Sequence, residues 1–453
     1  MTPQIEIADR DALKSLLRGT VHLPDSDGYH EARQVWNAMI DRYPAAIVCA
    51  SGVADVMTAV QFAAERGLPV AIRCGGHNVA GTSVGDGSIV IDLARFKSVR
   101  VDRVQRKACA GGGVLWGEYD HETQAFGLAS PGGAISTTGI AGLTLGGGYG
   151  YLSRRYGMAC DNLISADVVT AAGEFITASA DSHPDLFWAL RGGGGNFGVV
   201  TSLEFQLHPV REPLGGLIVF PFEMSKAVLQ RLRDLSLEAS DNLATMFAII
   251  PSPDGGKFAA AVVSDIGKEG EGDRAAQAFR ELGSVLLDTV APVSYCTMQR
   301  QVDVSYPKGQ RHYWKSSFVK TLSDDVIDLV IEAAGSAPSP LNVIMVEVYG
   351  GAVARVPSDA TAFEHRDALF NLSFLAISND PANDSEQRAW ARENWQKALP
   401  YSTGGAYVNY MSEGEDVHSA YSDARFQRLA AIKAKYDPTN LFRFNQNIPP
   451  ARK

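Results

Sequence analysis

The sequence predicts an α+β protein of three unlike stretches, and three observations carry that reading. Glycine is crowded between Gly75 and Gly198, where short β-rich runs alternate with glycine turns. From about Pro209 apolar strands alternate with long helical stretches, the pattern of a sheet covered by helices on one face. A third texture closes the chain: one amphipathic helix, then an extended Asn- and Pro-containing tail.

The elements follow in order. Residues 53–66 form an amphipathic helix with Val53, Val56, Val60, Ala63 and Ala64 on one face, stopped by Gly67. Strands are expected at 70–73, 89–93, 166–170 and 199–205, and a short helix at 185–190. In the middle region strands 217–220 and 246–250 alternate with helices 225–239, 274–287 and 324–334, the last stopped by Gly335. Residues 422–436 form a helix with Phe426, Leu429, Ile432 and Tyr436 inward, ended by Asp437-Pro438.

The chain of 453 residues is long enough for several packed domains, and at 45% hydrophobic and 20% charged it has a globular composition. Its net charge of -10 argues against a phosphate-backbone partner, so no nucleic acid is expected. Five scattered cysteines, with no C-x-x-C pair, suit neither a disulfide framework nor a metal centre and point to a reducing cytoplasm. Residues 1–18 mix charges with apolar residues and do not form a secretory signal. No apolar run approaches the ~20 residues that cross a bilayer, so no membrane partner is expected either. The association state is left as monomer or homodimer.

Three motifs compete for the chemistry. Gly193 to Gly198 satisfies G-x-G-x-x-G, but a helical stretch precedes it and a strand follows, the reverse of a dinucleotide fold. Ser83 sits in G-x-S-x-G, which would make a serine hydrolase, yet a Gly85-Asp86-Gly87 turn stands where the elbow needs a helix. No P-loop occurs; the Gly256-Lys257 and Gly267-Lys268 pairs lack its context.

A fourth constellation fits together. After strand 70–73, Arg73-Cys74-Gly75-Gly76-His77-Asn78 runs to Gly81 and makes a turn whose N–H groups can cradle a pyrophosphate, with His77 closest to that ligand. A second glycine cluster, from Gly132 through Gly142 to Gly146-Gly147-Gly148-Tyr149-Gly150, would let backbone lie against a flat, extended ligand. With Arg155-Tyr156-Gly157, Asp161-Asn162, the 185–198 segment, Tyr407-Val408-Asn409-Tyr410 and 437–443, the sequence resembles the berberine-bridge-enzyme-like branch of the vanillyl-alcohol-oxidase flavoproteins. Trp36-Asn37 and Tyr43-Pro44 extend the likeness toward the N-terminus.

The resemblance implies a two-part FAD-binding domain, residues 1–208 completed by 405–453. Between them, residues 209–404 would form an α+β substrate domain with an antiparallel sheet covered by helices. It implies FAD joined covalently to His77, with Arg73, Gly75, Gly76, Asn78, Gly81, Thr137, Thr138, Gly142, Gly147, Gly150, Gly198, Val199, Tyr407, Asn445 and Asn447 around the cofactor. Many relatives add a second link through cysteine; Ile135 stands at that position here, so a single link is expected. The activity implied is hydride abstraction from a CH–OH or CH–NH group of a small organic molecule. Dioxygen is the expected acceptor, with a dehydrogenase using another acceptor as the alternative.

Two groups compete for the base that takes the heteroatom proton. Tyr410 matches a tyrosine base of several relatives, with Tyr407 as a neighbour that helps it or touches the flavin. Glu347 is a carboxylate in a strand of Val, Ile and Met, where burial would raise its pKa. Asn371 stands where the plant enzymes carry their glutamate base. Tyr313, Trp314 and Phe318 could wall the pocket, and alternation would put Asn445 and Asn447 on one face toward the flavin.

Overall fold

The computed structural model describes residues 7–267 and 270–452. Residues 1–6 of the N-terminal stretch, and Lys268 of the second Gly-Lys pair, lie outside the described residues.

The first sheet takes β1 (Thr20–His22), β2 (Ala46–Cys49), β3 (Val70–Arg73) and β4 (Ile89–Asp92) in the order β1-β2-β4-β3. β1 is antiparallel to β2, whereas β2 and β3 both run parallel to β4. Parallel strands need a crossover, supplied between β2 and β3 by the helix Val53–Glu65. Every residue of β4 is buried, as a central parallel strand requires. The helix buries Val56, Ala59, Val60, Phe62 and Ala63, but Ala64 is exposed and Val53 only half-buried. Its orientation is fixed by Asp55, whose buried carboxylate accepts the N–H groups of Arg18, Gly19 and Ser51.

A second sheet holds β5 (Val99–Asp102), β6 (Lys107–Gly111), β7 (Leu163–Val169), β8 (Phe175–Ser179) and β9 (Val199–Gln206), ordered β5-β6-β9-β7-β8 and antiparallel throughout.

The middle of the chain forms the largest sheet. β10 (Leu214–Pro221), β11 (Leu243–Pro251), β12 (Lys257–Asp265), β13 (Arg311–Val319), β14 (Val343–Val348) and β15 (Phe370–Ser378) run in the order β10-β12-β11-β14-β15-β13, all antiparallel. Alternation splits the side chains between two faces. Phe220, Phe247, Ile249, Val346, Leu372 and Phe374 pack against the helices Ser225–Glu238, Asp324–Gly335 and Asp384–Ala398. The other face looks toward the first two sheets. The helix expected over 274–287 lies instead at Glu271–Arg280, because Gly283 turns the chain at φ 76 and Leu287–Asp288 joins the sheet edge.

The last helix, Asp423–Tyr436, buries Leu429, Ile432 and Tyr436 as expected, with Phe426 only half-buried. Lys433, also on its inner face, is wholly buried and ties the tail to the body. Its Nζ donates to the Asn196 carbonyl at 2.7 Å, to the Phe442 carbonyl at 3.0 Å and to Asp437 at 2.6 Å. Asp437 accepts the N–H groups of Leu441 and Phe442, which pack into the core of the first sheet. The two chain ends therefore fold together, and the middle sheet stands opposite them.

Candidate active site

One cavity of about 500 Å3 lies between the glycine loops and the free face of the middle sheet. Gly75, Gly76, His77, Asn78, Thr138, Gly142, Gly198, Tyr407 and Asn445 of the expected cofactor set line it, together with Glu347 and Tyr410. The remaining seven are not in the lining. Arg73 is buried against Asp92, its register partner on β4, with Nε 3.1 Å from the carboxylate. Gly81, at φ 65, lies against Ile40, and Gly147 against Met158 and Phe363. Gly150 meets the Gly132 carbonyl, Val199 packs in the core of the first sheet, Thr137 is exposed and Asn447 falls outside the lining. Asn445 and Asn447 part company because the tail is irregular rather than a strand.

The glycines divide by what a side chain would meet. A Cβ on Gly75 would lie 2.7 Å from the Gly139 nitrogen, and one on Gly139 would lie 2.4 Å from Cys74 Sγ. These two let the glycine loops cross in backbone contact. Gly142 and Gly195 also line the cavity, but a Cβ on either would meet nothing within 4 Å. Those two keep a trough clear.

Polar atoms along the trough lack protein partners. His77 Nε2, Ser83 Oγ, Asn445 Oδ1 and Gln446 Nε2 are buried without one, and their residues line the cavity. Buried polar groups are almost always hydrogen-bonded, so this concentration marks the place of a polar ligand. The cleared backbone, the turn after β3 and these donors and acceptors fit the extended, phosphate-bearing shape of FAD.

His77 is held by a residue that sequence reading left out of the site. Its ring stacks on Trp36 at 4.2 Å and 18°, and Trp36 stacks on His312 at 4.0 Å and 22° on its other face. Trp36 donates its backbone N–H to the Gly76 carbonyl and its indole N–H to the Tyr306 carbonyl. Burial lowers the His77 pKa to about 4, which keeps the imidazole neutral with a nitrogen lone pair at neutral pH.

Across the cavity stands Glu347, on the face of β14 toward the glycine loops. It is 1% exposed, and burial raises its pKa to about 8. Tyr410 Oη donates to Oε1 at 3.0 Å, and Oε2 has no partner. Asn371 sits directly opposite on β15, where it accepts from Ser373. Tyr410 is pushed up by burial and by the Glu347 charge, so its phenol keeps its proton. Tyr407 gives it no help in ionising: its hydroxyl accepts the Gly148 N–H and the Asn409 amide, each at 2.9 Å. Trp314 lines the cavity, whereas Tyr313 faces the helix layer and bonds Arg392, and Phe318 packs among Tyr349, Phe363 and Tyr407.

The competing motifs fail on geometry. The helix Pro184–Leu190 precedes the 193–198 loop and β9 follows it, so the loop does not open into the helix that a dinucleotide fingerprint needs. A turn and then β4 follow Ser83, so it has no nucleophile elbow. Ile135 lines the cavity; Cys74, beside it in the lining, has its thiol pushed up to about 11 by burial, and Cys160 lies in a separate cluster with Met158 and Tyr407.

Comparison with known proteins agrees with this geometry. Residues 44–179 match an FAD-binding-domain family, and residues 406–449 match the berberine and berberine-like family. The sequence is 31% identical over 456 residues to (R)-6-hydroxynicotine oxidase of Paenarthrobacter nicotinovorans, covering 96% of this chain and 97% of that one. The crystal structure of 6-hydroxy-D-nicotine oxidase from Arthrobacter nicotinovorans superposes with a TM-score of 0.88 at 30% identity, covering 96% and 98% of the two chains. The berberine-bridge-enzyme-like protein 1 of Physcomitrella patens gives a TM-score of 0.89 at 27% identity, covering 98% and 100%.

Proposed function

This chain belongs to the berberine-bridge-enzyme-like FAD-linked oxidoreductases, and from that premise we propose that it is a cytoplasmic oxidase carrying FAD on a single covalent bond to His77. In this reading residues 1–208 and 405–453 hold the cofactor, and residues 209–404 supply the substrate sheet. The observation that carries it is the pairing, across one cavity, of a neutral buried histidine whose Nε2 has no protein partner with a buried glutamate that has one oxygen free. Bound FAD supplies a two-electron acceptor for the hydride that leaves a carbon bearing OH or NH.

The chain's own residues manage the proton and the surroundings. Glu347 takes the heteroatom proton on its free Oε2, and a pKa of about 8 lets it accept and release that proton close to neutral pH. Tyr410 donates to Oε1 and fixes the carboxyl plane, which makes it a partner of the base rather than the base. Tyr407 bonds the Gly148 N–H and so holds the second glycine cluster against the site. Trp36 keeps the His77 ring in one plane. Met246, Ala248, Val262, Val343 and Met345 keep water from the reacting carbon.

Anaerobic mixing of the yellow protein with a panel of benzylic alcohols and amines tests the reading. Bleaching by some member, followed in air by one peroxide per substrate, is the expected result. Bleaching with dye reduction but no oxygen uptake would make the enzyme a dehydrogenase. A colourless protein would end the proposal.

A further inference from the structure

The substrate end of the cavity has a one-sided electrostatic character. Glu347 is the one carboxylate in the lining, and no lysine or arginine lines it among the described residues. Its Oε1 takes the Tyr410 hydroxyl and its Oε2 has no partner, so a buried acid faces the cavity without a cation. Aromatic rings surround that corner. Trp314 meets Tyr410 edge-on at 5.7 Å and 82°, and meets Tyr306 at 6.4 Å and 73°. All three rings line the cavity. A carboxylate flanked by such rings suits a cation, which gains from the charge and from the ring faces together. Beyond the corner Leu217, Met246, Val262, Val343, Met345 and Leu375 make an apolar wall, and the polar atoms left free beside it, on Tyr151, Gln301 and Gln310, carry no charge. An acidic substrate would meet Glu347 with nothing to offset its charge.

We propose that the substrate is a hydrophobic amine, bound as its ammonium ion with the charge held between Glu347 and the rings of Trp314, Tyr306 and Tyr410. This rests on the reading above that Glu347 is the proton acceptor, and it narrows the reacting group from CH–OH or CH–NH to CH–NH. The proton balance is simple. One N–H bond of the ammonium breaks, an O–H bond forms at Glu347 Oε2, and the nitrogen regains the lone pair that assists loss of hydride from the adjacent carbon. An alcohol could donate its hydroxyl to Oε2 but brings no charge to use the corner.

The test uses the flavin-loaded protein and two unreactive probes of one shape, benzyltrimethylammonium and neopentylbenzene, titrated against the flavin absorbance spectrum. The cation is expected to bind at least ~10-fold tighter than the hydrocarbon above pH 8. That preference should decline as pH falls below about 8, because neither probe titrates and Glu347 does. The phenols whose charge would couple to Glu347 (Tyr149, Tyr151, Tyr306, Tyr349, Tyr407 and Tyr410) are all pushed upward by burial and stay neutral through that range. Glu347→Gln should bring the two affinities together, and if that variant does not fold the wild-type pH series decides alone. Equal binding of the two probes, or a cation preference unmoved by both pH and Glu347→Gln, would overturn the proposal. A yellow protein bleached by neutral benzylic alcohols but blind to the cation would refute the amine while leaving the oxidase reading intact.

Discussion

The two walls of the cavity recognise in different ways. On the side of the glycine loops, backbone makes the room: Gly142 and Gly195 clear a trough, and a few side-chain atoms, His77 Nε2 and Asn445 Oδ1 among them, stand free along it. On the side of the middle sheet it is done by side chains, with one acid and several rings set in an apolar floor. The contrast teaches where change is tolerated. A backbone trough suits one invariant ligand, whereas side chains on a sheet face can be exchanged without disturbing the helices on its other face.

That contrast can be broken most directly at Glu347. Replacing it with Gln should slow anaerobic flavin reduction by roughly 100- to 10,000-fold. Flavin content should stay at the wild-type level, because Glu347 belongs to the other wall. Loss of colour would show that the two walls are not separable.

Removing Lys433 should undo the glycine wall as a whole. Lys433→Ala leaves Asp437 and two carbonyls buried without their donor, and a buried pair broken on one side costs about 3–5 kcal/mol. Chemical denaturation should register that loss, and a loss under about 1 kcal/mol would mean that the clamp contributes little.

A smaller effect separates the two kinds of glycine. Gly142→Ala, inside the helix Ile140–Leu145, should stabilise the flavin-free protein by about 0.5–1 kcal/mol through helix propensity while weakening FAD retention. Gly75→Ala should instead lower the folded yield, since its Cβ meets the Gly139 backbone. Equal behaviour of the two variants would erase the distinction.

The mildest test is thermal stability against pH. Burial raises Glu347 above its ordinary value of 4.5, so its stabilising contribution is complete below that value and is lost as pH rises through about 8. His77 is shifted the other way, from 6.5 to about 4, so its contribution is present above 6.5 and lost as pH falls through about 4. The flavin-free wild type should lose melting temperature at both ends. Glu347→Gln should flatten only the alkaline side.

Much of this was legible in sequence, and the failures share a cause. The loop carrying His77, the tail at Asn445 and the odd acid in an apolar strand were visible because each depends on local pattern. Trp36 and His312 were not, because their stack joins positions far apart in the chain and no local pattern signals it. The pairing of Arg73 with Asp92 is set by parallel register, which needs the sheet. The glycines at 75 and 142 look alike in sequence, yet a Cβ would meet the Gly139 nitrogen at 2.7 Å from one and nothing within 4 Å from the other. The bond from Tyr410 to Glu347 likewise joins positions far apart in the chain and leaves no mark in local pattern.

The central claim, that one cavity carries FAD on His77, is tested most directly by intact mass after acid denaturation. Wild type and His77→Ala would be purified side by side. The account predicts wild-type protein heavier by one FAD, with the variant at its polypeptide mass and any flavin free in solution. Wild-type protein at bare polypeptide mass, or a variant that keeps the added mass, would contradict it.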